Sequence, residues 1–244
     1  MKKYSFLGIN FFDSNIKEML EEIKDGGLIV VPAAPALVTL NKDKKYHKAL
    51  QDADIAIFDS GFFCILIRIF KGLKVKKFSG LEFIKNLILY CSKNDEENIF
   101  LVNPTKEEGD LNKYYLENKN ILINGEYVAP MYGEDITDHD LLMLIKQNKP
   151  RYVIINLGGG VQEVLGAYLK EETKKDSYKP IIICTGAAIA FLTGSQARIP
   201  SIIDKIYLGW LARCISNPRV FVPRYLSGFN LVPLVIKNKI EEIL

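Results

Sequence analysis

The sequence predicts the α/β class: a parallel sheet with helices on both faces, followed by a helical C-terminal appendage. Three observations carry this. Short apolar, β-rich runs alternate with longer segments whose apolar residues recur three and four apart. The runs are continuously apolar rather than alternating, as strands covered on both faces must be. After about residue 200 the alternation gives way to aromatic and basic residues broken by Pro218, Pro223 and Pro233.

In order, the expected strands are "GLIVV" (27–31), "DIAIF" (54–58), "NIFLV" (98–102), "ILING" (121–125), "YVIINL" (152–157) and "PIIIC" (180–184). Between them, segments 35–51, 81–93, 105–118, 137–148 and 161–174 have helical spacing. Leu141, Leu142, Leu144 and Ile145 form one such apolar face, and Val164, Leu165, Tyr168 and Leu169 another. The arrangement is Rossmann-like. It divides the chain into an α/β domain over 1–199 and a basic, aromatic appendage over 200–244. The appendage is expected to be helical.

Composition narrows the class. Of 244 residues, 48% are hydrophobic and 25% charged, which suits a soluble globular protein with a substantial core. A net charge of +3 is too small to argue for nucleic acid. Cys64, Cys91, Cys184 and Cys214 lie far apart with no CxxC spacing, so they read as reduced core thiols of a cytosolic protein. His47 and His139 read as surface residues, since a catalytic metal site clusters its ligands. The start, "MKKYSFLGINFFD", lacks the apolar core and cleavage site of a signal peptide. The most apolar stretch, "GFFCILIRIF" (61–70), is roughly half the length of a spanning helix and contains Arg68.

In open sheets of this kind ligands sit beyond the carboxyl ends of the strands. There the sequence supplies "PAAPALVTLN", "DSG", "NPT", "EYVAPMYGED", "GGGVQE" and "TGAAIAFLTG". These are polar ends with one prominent carboxylate, Asp59. The stretch "NLGGGVQEVLGAYL" (156–169) opens a helix with three glycines. A dinucleotide fingerprint would need a third glycine where Glu163 stands, and an acid after the next strand, which ends in Thr185-Gly186. The P-loop Gly-Lys-Ser/Thr is absent. A methyltransferase-like match of "INLGGG" is of low specificity. What remains is either a tight strand-to-helix turn or a turn that faces a ligand.

Several stretches, in order, resemble the WecG/TagA/CpsF family of bacterial glycosyltransferases. "GGGVQE" stands where the family has Gly-x-Pro-Lys-Gln-Glu. "VTLNKDKKYHKALQDADIAIFDSG" resembles its Thr-x-Asn and Asp-Gly segments, and "KKFSGLEFI" its Arg-Val-x-Gly-x-Asp-Leu segment. "GAAIAFLTGSQARIP" and "YLGWLARCISNPRVFVPRYL" resemble its later Gly-, Trp- and Arg-containing segments. The resemblance covers roughly residues 5–230. Departures are Gly160-Val161 for Pro-Lys, Asp59-Ser60 for Asp-Gly, Ile189-Ala190 for Phe-Asp, Gly209 for the Glu before Trp210, and Asn103-Pro104 for a Gly-Gly pair. Losing the lysine removes a point charge from a diphosphate site.

The resemblance implies transfer of a sugar, N-acetylmannosamine or a relative, from a UDP-sugar to a polyprenyl-diphosphate-linked sugar, with inversion and without metal. No further cofactor is implied. The "DAD" at 52–54 falls on the wrong edge of the sheet to serve a metal site. Asp59 matches the family's catalytic Asp, and a carboxylate at the sheet's carboxyl edge suits a general base. Its alternative reading is a helix cap. Thr39, Asn41 and Gln162 match site residues able to hydrogen-bond sugar or phosphate, and Lys77 matches a basic site residue. The N–H groups after Gly158, Gly159 and Gly160 suit an anion. Glu163 serves either the helix start or the ligand. Arg213, Arg219 and Arg224 match family arginines that would meet the departing diphosphate.

Between Lys205 and Lys239 there are six Lys/Arg and no acid, interleaved with Tyr207, Trp210, Phe221, Tyr225 and Phe229. That composition suits an anionic membrane surface. The expected placement is cytoplasmic, peripheral on the inner face of the bacterial membrane, with room for a homo-oligomer. A competing expectation is a membrane-peripheral paralogue that binds a nucleotide sugar or a partner without turnover. A weaker one is a SAM-dependent enzyme.

Overall fold

The computed structural model describes residues 1–94, 97–195 and 218–243. One nine-stranded sheet organises them, with strands β1 (Lys2–Phe6), β2 (Ile9–Asp13), β3 (Gly27–Val30), β4 (Ile55–Ile57), β5 (Asn98–Asn103), β6 (Leu122–Val128), β7 (Tyr152–Ile155), β8 (Ile181–Cys184) and β9 (Ile240–Ile243). The order is β6-β5-β7-β8-β3-β4-β2-β1-β9. The strands from β6 to β2 run parallel, and β1 is antiparallel to both β2 and β9.

All six strands read from apolar runs are present. β3, β4, β7 and β8 are buried at every position, which is why their runs carry no polar alternation. Helices α1 (Ile16–Glu22), α5 (Gly80–Cys91), α6 (Lys106–Glu117) and α9 (Ala190–Thr193) lie on one face. The other face carries α2 (Ala34–Leu37), α3 (Lys44–Asp52), α4 (Gly61–Lys71), α7 (His139–Asn148), α8 (Val161–Thr173) and α11 (Leu231–Lys237). Helix α10 (Pro218–Gly228) packs against α2.

The segment expected as one helix over 35–51 is two. Thr39 turns the chain, its carbonyl accepting the N–H groups of Lys42 and Asp43, and the Asp43 side chain then caps α3 by accepting from Tyr46 N. The apolar stretch at 61–70 is α4. Ser60 Oγ caps it by accepting from Phe63 N, and Gly72 ends it at φ +68°. It buries Phe63, Cys64, Leu66 and Ile67 and leaves Ile65, Ile69 and Phe70 exposed.

Of the expected appendage, Pro218–Gly228 and Leu231–Lys237 are helical and Ile240–Ile243 is a strand, while 200–217 lies outside the described residues. β9 pairs with β1, Leu231 and Val235 are fully buried in the core, and the rings of Phe229 and Phe62 meet edge to face at 5.4 Å. No helix among the described residues is long and apolar enough to cross a membrane.

Candidate functional site

Two pairs of adjacent strands send their connections to opposite faces, and so open crevices at the carboxyl edge. β3 leads to α2 and α3 on one face while β8 leads to α9 on the other. β5 leads to α6 while β7 leads to α8. Of the residues expected to form the site, Asp59 follows β4 at this edge, and the glycine turn and Gln162 follow β7.

Asp59 follows β4 and is half-buried. It does not cap the helix that follows it, because Ser60 does. Its Oδ1 accepts the N–H of Gly80, the first residue of α5, at 2.9 Å. Ser79 Oγ caps the same helix by accepting from Glu82 N. The carboxylate is therefore held at a helix N-terminus, where the dipole favours a negative charge. Gly80 packs close to the neighbouring strand ends: a Cβ there would lie 3.3 Å from Val31 Cγ1, 3.6 Å from Thr185 O and 3.8 Å from Ala188 Cβ. Gly80, which Asp59 holds, thus lies beside Val31 after β3 and Thr185 after β8. Lys77 is half-buried in the segment just before α5. The neighbouring Cys64 thiol is pushed up to about 12, first by burial and then by the Asp59 charge, with Lys77 acting in the opposite sense.

The glycine turn after β7 is shaped by one special backbone position, Gly160 at φ +94°. Gly158 and Gly159 are exposed, and a Cβ on any of the three glycines would face open space. The turn thus presents backbone to whatever lies beyond the strand ends. Its shape is held from beneath. Glu163 is 1% exposed, and its Oε2 accepts from Gly160 N at 2.7 Å while Oε1 accepts from Gln162 Nε2 at 2.9 Å. Burial raises the Glu163 carboxyl above its usual range, against the hydrogen bonds from Gln162 and Gly160 that favour the charge.

Gln162 is 3% exposed, and its Oε1 accepts from Gly186 N, the turn after β8, at 2.8 Å. The Cys184 thiol donates to the Gln162 carbonyl oxygen. Both ends of the Gln162 amide are therefore engaged within the protein, where the sequence suggested contact with a ligand. The amide fastens the turn after β7 to the turn after β8. Glu163 takes the helix-start role of its two readings. The sequence carries no signal of this clamp, because Gly186 is distant in the chain.

Thr39 and Asn41 are exposed in the loop between α2 and α3, with Thr39 Oγ1 donating to Ala36 O at 2.8 Å. Arg219 is exposed on α10, and Arg224 belongs to the same helix. α10 abuts α2, which follows β3: a Cβ on Gly228 would come within 3.9 Å of Pro35 Cγ. Arg213, Tyr207, Trp210 and Cys214 lie outside the described residues.

Other candidates separate cleanly. Asp54 lies at the amino edge, accepting from Leu28 N and pairing with Lys170, both at 2.7 Å. His47 contacts Leu7 O and His139 contacts the Tyr168 hydroxyl. Cys64, Cys91 and Cys184 are buried free thiols. Among the described residues no three His, Cys, Asp or Glu side chains gather as metal ligands.

Comparison with curated proteins finds no match. The family model described as "Glycosyl transferase WecG/TagA/CpsF family" matches residues 4–243, nearly the whole chain, including the C-terminal strand that closes the sheet. With Asp59, the glycine turn and the Gln162-Glu163 pair standing at the carboxyl edge of a Rossmann-like sheet, the chain belongs to the WecG/TagA/CpsF family of cell-surface polysaccharide glycosyltransferases.

Proposed function

We propose that the protein transfers a sugar, N-acetylmannosamine or a relative, from a UDP-sugar to a polyprenyl-diphosphate-linked sugar, with inversion at the anomeric carbon. The observation that carries this reading is the Asp59 carboxylate held at the start of α5 beside the ends of β3 and β8. In the reaction an acceptor hydroxyl attacks the anomeric carbon and gives its proton to Asp59. The new C–O bond forms as the bond to the diphosphate breaks, and UDP departs with the electron pair.

The departing charge is met without metal by backbone N–H groups of the glycine turn other than that of Gly160, which Glu163 holds, by Lys77, and by Arg213, Arg219 and Arg224. Thr39 and Asn41 hydrogen-bond sugar or phosphate from the loop beyond β3. Gln162 acts by fixing the two turns rather than by reading the donor. The acceptor's lipid places the enzyme on the cytoplasmic face of the membrane, as a peripheral protein.

A second reading, binding without turnover, is favoured by one observation. Val161 stands where a lysine would meet the diphosphate, and the Gln162 amide beside it is turned inward. Incubation with a panel of UDP-sugars and a lipid-diphosphate acceptor tests both. Formation of a disaccharide-lipid of inverted configuration supports transfer. Binding of UDP-sugars with no product from any of them supports the second reading, and overturns the first.

A further inference from the structure

The crevice between β5 and β7 has a floor that the proposed reaction does not use. Asn103 ends β5, Asn156 follows β7, and Asn112 lies on α6; their side chains converge, and they are 1%, 4% and 1% exposed. Asn112 Nδ2 and Asn156 Nδ2 both donate to Asn103 Oδ1, at 2.9 and 3.0 Å. That leaves three buried atoms without a hydrogen-bond partner: Asn103 Nδ2, Asn112 Oδ1 and Asn156 Oδ1.

Buried amides that leave polar atoms unpaired carry a desolvation penalty that apolar residues of similar size would avoid. Here three coincide at the point where a doubly wound sheet binds its ligand. Above Asn156 the chain continues into the glycine turn, whose Gly158 and Gly159 face open space, so no side chain of the turn bars the approach. The position also departs from the family pattern, since Asn103 stands in place of a glycine. Gly109 makes room for it, because a Cβ there would lie only 3.1 Å from Asn103 Nδ2.

The unpaired set is uncharged and holds both donors and acceptors. As oriented it offers one donor and two acceptors, and with all three amides flipped the same two internal bonds form in reverse and leave two donors and one acceptor. Neighbouring hydroxyls, each both donor and acceptor, complement either arrangement. We propose that Asn103, Asn112 and Asn156 form an uncharged subsite for a vicinal diol of the substrate, beyond the carboxyl ends of β5 and β7. One hydroxyl accepts from Asn103 Nδ2 and donates to Asn112 Oδ1, and its neighbour donates to Asn156 Oδ1. The diol belongs either to the ribose or to the transferred sugar of the nucleotide sugar. The inference rests on the nucleotide-sugar reading above.

Asn103→Asp is the informative variant, because it keeps the oxygen that Asn112 and Asn156 bind and replaces only the unpaired donor. Calorimetry compares UDP, 2′-deoxy-UDP and UDP-N-acetylmannosamine on wild type and variant. A ribose diol predicts that wild type prefers UDP over 2′-deoxy-UDP by about tenfold and that the variant loses the preference. A sugar diol predicts unchanged UDP affinity, with UDP-N-acetylmannosamine weakened about tenfold in the variant. Should Asn103→Asp not fold, Asn156→Ala and the deoxy probe on wild type give the same comparison. Nucleotide affinities indifferent to every change, with only the melting temperature shifted, mean that the cluster holds an internal water and overturn the subsite alone. Failure of wild type to bind any of the three ligands overturns the nucleotide-sugar reading and the subsite with it.

Discussion

The Asp59 carboxylate accepts the backbone N–H of Gly80 at 2.9 Å, which ties the end of β4 to the start of α5. One oxygen of the carboxylate is thereby fixed by the main chain. Asp59→Asn keeps an acceptor for Gly80 but cannot take a proton. Turnover should fall about a hundredfold or more, the usual scale for a general base, with UDP affinity nearly intact. Steady-state kinetics beside UDP calorimetry check this, and unchanged turnover removes Asp59 from the mechanism.

Asp54 provides the control. It is an aspartate of the same β4 region, but at the opposite edge of the sheet, where Oδ2 accepts from Leu28 N. Asp54→Ala should cost about 1–3 kcal/mol of stability by leaving that N–H unpaired, with kcat unchanged. Urea denaturation and kinetics on the one variant separate the two effects.

Gln162→Ala should destabilise the protein as well as impair turnover, because it removes the partners of Gly186 N and of Glu163. A loss of about 1–3 kcal/mol is expected for the unpaired groups. Unchanged melting temperature with weakened donor binding would show instead that the amide turns outward to the ligand.

Much of this was legible in the chain. Continuous apolar runs marked β3, β4, β7 and β8 because those strands are covered on both faces, and the residues after them marked the carboxyl edge. The β1–β2 hairpin was not legible, because its turn is Leu7-Gly8 with both residues at positive φ, and leucine is no signal for such a turn. β9 escaped because "IEEI" gains strand character only by pairing with β1. The division of 35–51 turned on Asp43, whose capping bond is local but whose neighbours all read as helical. The site was legible in its residues but not in their orientations. Whether Gln162 faces inward, and whether Asn103, Asn112 and Asn156 meet, depends on contacts between elements far apart in sequence.

Glu163 gives a pH signature. Its folded-state pKa is raised by burial above the ordinary 4.5. The protonated form is thus favoured on folding, so the stability tied to Glu163 is full below pH 4.5 and is lost as pH rises through the raised value. Glu163→Gln removes this dependence. Relative to wild type, the variant should therefore gain stability as pH is raised through that window. At every pH it also pays for the acceptor oxygen it loses, the one facing Gly160 N or the one facing Gln162. Denaturation midpoints of both proteins from about pH 4 to pH 8 check the slope. A constant difference would mean that Glu163 does not change protonation with folding.

The surface of α4, α10 and α11 gives the last prediction. Ile69 is 66% exposed and Phe229 57% exposed, and Ile65, Phe70, Leu226 and Ile236 are exposed with them. The elements are joined, since Lys71 Nζ donates to Ile236 O and the Phe62 and Phe229 rings meet. Arg68, Lys74, Arg219 and Lys237 are exposed on or beside the same elements. Basic residues near an anionic bilayer contribute about 1 kcal/mol each, and large apolar side chains enter the headgroup region. The protein should bind anionic vesicles reversibly, and less at high salt. Deleting residues 200–244 cannot test this cleanly, because β9, Leu231 and Val235 would leave the sheet and core. Ile69→Asp and Leu226→Asp, at exposed positions, should weaken vesicle binding with little change in melting temperature and with turnover of a soluble short-chain acceptor retained. If the intact protein ignores anionic vesicles at low salt, the surface does not dock on a membrane, and the same apolar and basic residues are left to cover another subunit.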